Sequence, residues 1–330
     1  MPFLAFSTVE SVILFFAIWK SHKIACPLNP KHPRIDHLLQ QLGAPLFTLG
    51  TIYTQKPTAW EVEEETIVLY LFTSGSTSHP KIAALSWGNL LYSAWGSEQM
   101  IKLEPENRWH LSLPLFHIGG ISILFRAYLA NAGISLDPCF SQVTHLSVVP
   151  TQLYRLLKTK EDLSHLKAIL LGGAPTGQFY KYQDDLPLFP TYGMTEMSSQ
   201  IATRGKVLTY REVKLSLEGE ILVKGKTLFQ GYFTGSSTLY LPLDKEGWFY
   251  TGDLGRWKNS GELEVMGRKD NLFICGGENI QPEEVENLLK ELFPSLEEAV
   301  IVPLKDEEWG EVPVLFCSPL LSLAEIEGVL

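Results

Sequence analysis

Apolar residues fill the opening of the chain almost without a break, centred on Val12-Ile-Leu-Phe-Phe-Ala-Ile-Trp19. That run is too short to span a bilayer, which takes about 20 residues. Neither a basic leader nor a small-residue cleavage site accompanies it, as a signal peptide requires. It predicts a strand followed by a buried helix entered at Ser7 or Thr8, with Glu10 or Ser11 in the first turn. Ile24–Asn29, a helix over 33–42 and a short strand over 45–49 follow, an alternation that implies an α/β layer. Thr66–Phe72 is apolar and β-branched and reads as a buried strand. A helix is expected over 87–100, capped by Ser86 or Ser78. A strand through Trp109 ends in Pro114 and leads to an apolar helix carrying Arg126. Another strand spans 144–150, with Thr151 capping the next helix, and Leu166–Leu171 ends in Gly172-Gly-Ala-Pro175. From Gly219 the pattern changes to short strands over 219–224, 247–250, 255–257 and 262–266, with Asn259-Ser-Gly261 as a hairpin turn. This predicts a small β subdomain. Pro282 with Glu283 and Glu284 opens a helix. No internal repeat or low-complexity tract interrupts this order.

Composition narrows the class. The 330 residues are 45% apolar and 19% charged, which fits a globular chain with a sizeable core, a large domain and part of another. The net charge of −10 disfavours non-specific nucleic-acid binding. The four cysteines include no Cys-x-x-Cys pair, so neither a zinc site nor a disulfide framework is indicated, and a reducing cytoplasm is consistent.

The most informative stretch is Leu71-Phe-Thr-Ser-Gly-Ser-Thr-Ser-His-Pro-Lys81. Thr73, Ser74, Gly75, Ser76 and Thr77 offer hydroxyls and backbone N–H groups, which together hold an anion such as phosphate. Gly75 permits close backbone approach, Pro80 stiffens the exit and Lys81 supplies a point charge. An ordinary Ser/Thr-rich surface loop has the same composition. No Walker loop occurs: Gly225-Lys226-Thr227 resembles the end of one, but position 220 is Glu.

Other stretches carry chemistry, most of them with a bland alternative beside it. His117 follows Phe116 and precedes a Gly pair; a lone His there is also a core or capping residue. Arg126 on the following helix is also a solvent-facing cation with its stem on the surface. Gly172 and Gly173 end a strand where a nucleotide base lies flat on backbone, or form a tight turn. In Thr191-Tyr-Gly-Met-Thr-Glu196, Tyr192 offers a ring for stacking, Thr195 a phosphate contact and Glu196 a hard oxygen for magnesium. Asp253 in Thr-Gly-Asp suits two ribose hydroxyls, or is part of a turn pair.

The order Thr-Ser-Gly-Ser-Thr-x-x-Pro-Lys resembles the phosphate signature of the adenylate-forming superfamily, which includes acyl-CoA ligases, luciferases and peptide-synthetase adenylation domains. Ser78 departs from it, since that superfamily usually has Gly there. The resemblance implies an α/β adenylate-forming fold: a large domain of α/β layers with a small β subdomain over 1–266, and a small α+β C-terminal domain over 267–330. It places ATP phosphates on the 73–77 loop and Lys81, and adenine between Tyr192 and Gly172-Gly173-Ala174. Magnesium goes to Glu196 with Thr195 nearby, and ribose to Asp253. Gly267-Arg-Lys-Asp270 matches the hinge motif, with Arg268 on ribose or phosphate and Asp270 as the pivot. Gly276 and Gly277 would approach the pantetheine arm of coenzyme A. The segment with His117 and Arg126 lines the acyl pocket together with Gly193, His117 standing at its mouth.

Within the superfamily, the stretches at 108–117, 149–157 and 270–286 look most like the o-succinylbenzoate–CoA ligases of menaquinone synthesis. The implied function is an ATP-dependent acid–CoA ligase acting through an acyl-adenylate, with ATP, Mg²⁺ and coenzyme A, in the cytoplasm. Its partners are small molecules, with no nucleic acid and no transmembrane segment, and a homo-oligomer is compatible. A ligase for another aromatic or acyl carboxylate, or a nucleotide-binding protein without full turnover, are the alternatives. The chain opens inside what is normally an interior strand–helix unit of this superfamily. Nothing after Asp306 matches its C-terminal lysine motif, so slow adenylation is the expectation.

Overall fold

A computed structural model describes residues 1–47, 61–73, 80–136, 140–159, 161–173, 179, 182, 184–235, 238–293, 295–306 and 309–321. The apolar opening forms helix α1, Val9–Lys20, entered at Thr8, whose hydroxyl accepts from the Ser11 N–H. Leu14, Phe15, Ile18 and Trp19 are buried. The strands on either side of α1, Pro2–Leu4 and Cys26–Leu28, pair in parallel. Trp19 donates its indole N–H to the Val68 carbonyl at 2.9 Å and meets Trp87 and Phe125 edge-on. Among the described residues, no helix is long and apolar enough to cross a membrane.

Helix α2, Ile35–Leu42, ends at Gly43, which adopts φ +61°. The strand expected over 45–49 does not form at Pro45–Phe47, where the Phe47 N–H donates to the Pro2 carbonyl and Pro45 has no N–H to extend a ladder. Ile67–Thr73 is a strand as expected, but it returns as a second strand, Lys81–Ser86, rather than passing directly into a helix. The two run antiparallel, with Thr73 opposite Lys81. They belong to a four-stranded sheet with Gly231–Phe233 and Leu239–Tyr240.

Helix α3, Trp87–Glu98, begins with a complete capping box. Ser86 Oγ accepts from the Asn89 N–H, and Asn89 Oδ1 accepts from the Ser86 N–H. Asn89 Nδ2 also donates to the carbonyls of Lys226 and Leu228, which ties the helix entry to the chain leading into Gly231–Phe233.

The seven-stranded sheet carries the site. Its order is Lys206–Val207, Ser199–Thr203, Leu188–Met194, Ala168–Leu171, His145–Val148, Arg108–His110 and Gly133–Ser135. From Leu188–Met194 to Gly133–Ser135 neighbours are parallel, and the other edge is antiparallel. Helices α4, Ile118–Ala130, and α5, Pro150–Thr159, supply crossovers. The strand through Trp109 stops at His110 rather than Pro114, because Ser112 turns its hydroxyl to the Ser147 carbonyl and Pro114 lacks a donor. Thr151 lies inside α5 instead of capping it, since Pro150 takes the first helical position.

The β subdomain is an antiparallel sheet of Arg211–Leu215, Glu220–Gly225, Phe249–Trp257 and Leu263–Arg268. The segments expected as two strands, 247–250 and 255–257, are one continuous strand. Asp253 therefore sits inside a strand, opposite Arg268, and not in a turn between strands. Gly252, at φ +74°, allows that local departure. Beyond it, Glu278–Ile280, Phe273–Cys275, Gly310–Ser318 and Glu298–Asp306 form a last sheet with helix α6, Pro282–Leu292. These elements have their own core of Phe273, Leu289, Leu296, Ala299 and Ile301.

Candidate active site

The carboxyl ends of Ala168–Leu171 and its parallel neighbour bring two sequence motifs to one edge. Leu171 pairs with Pro190, so Gly172-Gly173 leaves the sheet beside Thr191–Glu196. A side chain at Gly172 would meet the Thr191 methyl at 2.7 Å, and one at Gly193 would collide with the Ser199 backbone. Both glycines are thus required by close packing within the protein itself. Ala174 lies outside the described residues, as do Ser74, Gly75, Ser76, Thr77 and Ser78.

Asp253 is the centre of the first constellation. Tyr192 donates its hydroxyl to Asp253 Oδ2 at 2.7 Å, and Arg268 donates to Oδ1 at 3.0 Å. Arg268 also reaches the Thr251 carbonyl at 3.1 Å and lies 3.7 Å from Asp270. Burial pushes the Asp253 carboxyl above its ordinary range, against the opposing pull of Tyr192 and Arg268. Burial and the Asp253 charge push the Tyr192 phenol up as well, so it remains a donor. A buried carboxylate with two fixed donors presents its remaining lone pairs in one direction, which is what a pair of ribose hydroxyls needs.

The second constellation joins Lys81, Tyr232 and Glu196. Glu196 is buried in the 3₁₀ turn Thr195–Met197, where Thr195 is half-buried. Tyr232 donates to Glu196 Oε1 at 2.8 Å, and the Lys81 ammonium lies 5.0 Å from the Tyr232 ring centre. No group of three or more His, Cys, Asp or Glu suited to a metal occurs among the described residues. One buried carboxylate is nevertheless what magnesium takes when phosphates supply most of its other oxygens, so the donor set fits that ion.

The third feature is Arg126. It is 5% exposed, so the surface alternative fails. One guanidinium nitrogen donates to Gln200 Oε1 at 2.7 Å, the group lies 5.1 Å from the Trp109 ring centre, and Nε has no partner. Burial lowers its pKa to about 9. Among the described residues it makes no ion pair. Burial, and then the nearby Arg126 charge, lower the Arg211 pKa to about 9, and Arg211 donates to the Gln200 carbonyl. A buried cation without a counter-charge is costly, and a ligand carboxylate would offset that cost. His117 occupies the N-cap of α4, exposed, with its ring 4.7 Å from that of Phe116.

The expected hinge residues are fastened to the β subdomain. Lys269 reaches Glu218 at 2.8 Å and Glu220 at 3.0 Å, and Glu220 accepts from the Gly252 N–H. Asp270 is exposed in the turn Lys269–Asn271. Gly276, at φ +57°, lies under the Trp309 ring, whereas a side chain at Gly277 would meet open space. Tyr232, Gln200, Trp109 and Glu220 carry no signal of their own in the sequence, because the partners that matter, Glu196, Arg126, Ser147 and Lys269, are distant in the chain.

With this geometry in place, a profile of AMP-binding enzymes matches residues 38–214, and the chain belongs to that family. It is 33% identical to the 2-succinylbenzoate–CoA ligase of Escherichia coli strain K12 over 344 residues, covering 94% of this chain and 75% of that one. The ligase of the same name from Listeria monocytogenes serotype 4b (strain F2365) is also 33% identical, over 78% of this chain and 60% of its own length. The chain thus spans between three fifths and three quarters of these two relatives. A variant of E. coli MenE with bound OSB-AMS superposes with TM-score 0.87 at 29% identity, covering 98% of this chain and 80% of that structure. The o-succinylbenzoate CoA synthetase (MenE) of Bacillus subtilis in complex with ATP and magnesium ion gives 0.81 at 29%, covering 99% and 81%. The mixed α/β fold is that of these adenylate-forming enzymes.

Proposed function

We propose that this chain is an ATP-dependent acid–CoA ligase that activates o-succinylbenzoate as its acyl-adenylate and transfers the acyl group to coenzyme A, in cytoplasmic menaquinone synthesis. The observation that carries the choice of acid is Arg126, a buried guanidinium with an unpartnered Nε and no counter-ion among the described residues. o-Succinylbenzoate has two carboxylates, only one of which reacts. Arg126 would meet the other, in the bidentate geometry for which guanidinium is suited.

Attack of the reacting carboxylate on the α-phosphorus of ATP displaces pyrophosphate. Asp253 holds the ribose, its orientation fixed by Tyr192 and Arg268. Tyr192 and the backbone at Gly172, Gly173 and Ala174 enclose adenine. Thr73 to Thr77, Thr195 and Lys81 receive the phosphates, where fixed donors stabilise charge as it develops. Glu196 would hold magnesium, which supplies charge neutralisation to the phosphates. The CoA thiol then attacks the acyl carbon and AMP leaves, with Gly276 and Gly277 beside the pantetheine arm. His117 and Gly193 bound the acyl pocket, and residues 267–330 turn about Asp270 between the two steps.

The test is pyrophosphate release from ATP with o-succinylbenzoate and with a panel of monocarboxylates, followed by mass detection of the thioester after CoA is added. Preferential turnover of o-succinylbenzoate is expected. Faster turnover of a monocarboxylate would reassign the acid, and ATP binding without pyrophosphate release from any acid would reject ligase activity.

A further inference from the structure

Tyr232 stands between two groups to which the ligase reading gives separate tasks. It lies in the strand Gly231–Phe233, paired with Ala83 of Lys81–Ser86, two residues from Lys81. From there its ring lies 5.0 Å from the Lys81 ammonium, and its hydroxyl donates to Glu196 Oε1 at 2.8 Å. The side chain is almost fully buried, and Phe229 packs edge-on against it at 4.7 Å between ring centres. Among the described residues, the Tyr232 hydroxyl is the one side-chain partner of the Glu196 carboxylate.

These contacts set orientation. A carboxylate tied through one oxygen has a restricted rotation, so its second oxygen points in a fixed direction. Partners of this kind govern how well a carboxylate holds a metal. The phenol is suited to the task because its hydroxyl already donates to Glu196 Oε1 from a ring held in place by Phe229. The ring face meanwhile attracts the lysine cation.

We propose that Tyr232 is a positioning residue that fixes Glu196 for the divalent cation through its hydroxyl and seats Lys81 for the phosphates through its ring. The inference rests on the ligase reading for the presence of magnesium and ATP. It adds a residue whose two halves act separately, so two substitutions separate them. Tyr232→Phe keeps the ring and removes the donor; Tyr232→Leu removes both.

The experiment is isothermal titration of the full chain with ATP over a series of magnesium concentrations, and again in excess EDTA. For Tyr232→Phe, the magnesium concentration giving half the maximal gain in ATP affinity should rise about 10–100-fold, the usual cost of losing a partner of a metal ligand. ATP affinity in EDTA should stay within about twofold, because Lys81 keeps its aromatic seat. For Tyr232→Leu, affinity in EDTA should fall as well. A merely structural role would lower both affinities together in Tyr232→Phe, and that result would overturn the proposal, as would an unchanged magnesium dependence. If the unsubstituted chain binds no ATP at any magnesium concentration, the ligase reading falls and this proposal with it. Normal wild-type binding with an unaffected Tyr232→Phe removes only the role of Tyr232.

Discussion

The Tyr192 hydroxyl and Asp253 Oδ2 are 2.7 Å apart, although 61 residues separate them in the chain. One comes from the seven-stranded sheet and the other from the β subdomain, so the bond joins the two structures at the place where a ribose would lie on the proposed reading. Arg268 holds the second oxygen. The carboxylate is therefore oriented before any ligand arrives.

Asp253→Ala should weaken ATP and AMP by similar factors, because both carry the same ribose. Loss of hydrogen bonds to a charged group predicts about 10-fold or more for each nucleotide. Titration of the variant with ATP, AMP and pyrophosphate checks this. An effect on pyrophosphate alone would remove Asp253 from the ribose.

The raised pKa of Asp253 has a consequence for stability. A carboxyl whose folded pKa lies above its unfolded value stabilises fully at pH below the unfolded pKa. That contribution is lost as pH rises through the folded pKa. Asp253→Asn does not titrate. Its stability relative to the parent should therefore improve as pH rises from the ordinary carboxylate range toward neutrality. Unfolding midpoints for the pair at several pH values measure the trend, and a constant difference would mean that burial does not govern this group.

Arg126→Leu should raise KM for o-succinylbenzoate far more than for a monocarboxylate analogue, with about 10–100-fold separation between the two ratios. The reason is the desolvated second carboxylate, which loses its only proposed cation. Steady-state kinetics with both acids provides the comparison, and equal effects would assign Arg126 to packing.

Asn89→Ala removes the reciprocal half of the α3 cap and two donors to the Lys226 and Leu228 carbonyls. A cap and its hydrogen bonds are together worth about 2–3 kcal/mol. Urea unfolding should show that loss, with Asn89→Asp intermediate because it keeps the acceptor for the Ser86 N–H.

Local pattern made the elements of this fold legible, and distant pairing did not. The apolar run at α1, its entry at Thr8 and the cap at Ser86 are all written in neighbouring residues. The strand Lys81–Ser86 went unrecognised because its identity depends on pairing with Ile67–Thr73 and Gly231–Phe233. Thr251–Asp253 reads as a turn from Gly252, yet two flanking strands hold it in an extended ladder with a register shift after Leu254. At the site, the motif residues Tyr192, Glu196, Asp253 and Arg268 carry their own signal. Tyr232 and Gln200 do not, because their significance is a hydrogen bond made across more than thirty residues of chain.

The fastening of Lys269 to Glu218 and Glu220, beside that of Arg268 to Asp253, makes the segment before Asp270 a joint with two latches. They are of different kinds. The lysine latch closes on carboxylates that have no nucleotide role here, whereas the arginine latch closes on the carboxylate assigned to ribose. On the proposed reading a ribose would meet the lone pairs of Asp253 that Tyr192 and Arg268 leave open, and would not touch Lys269. Both ties lie on the near side of Asp270, so on the proposed reading the elements that turn about Asp270 would leave Arg268 and Lys269 held to the β subdomain, and the nucleotide carboxylate would keep its arginine through the turn.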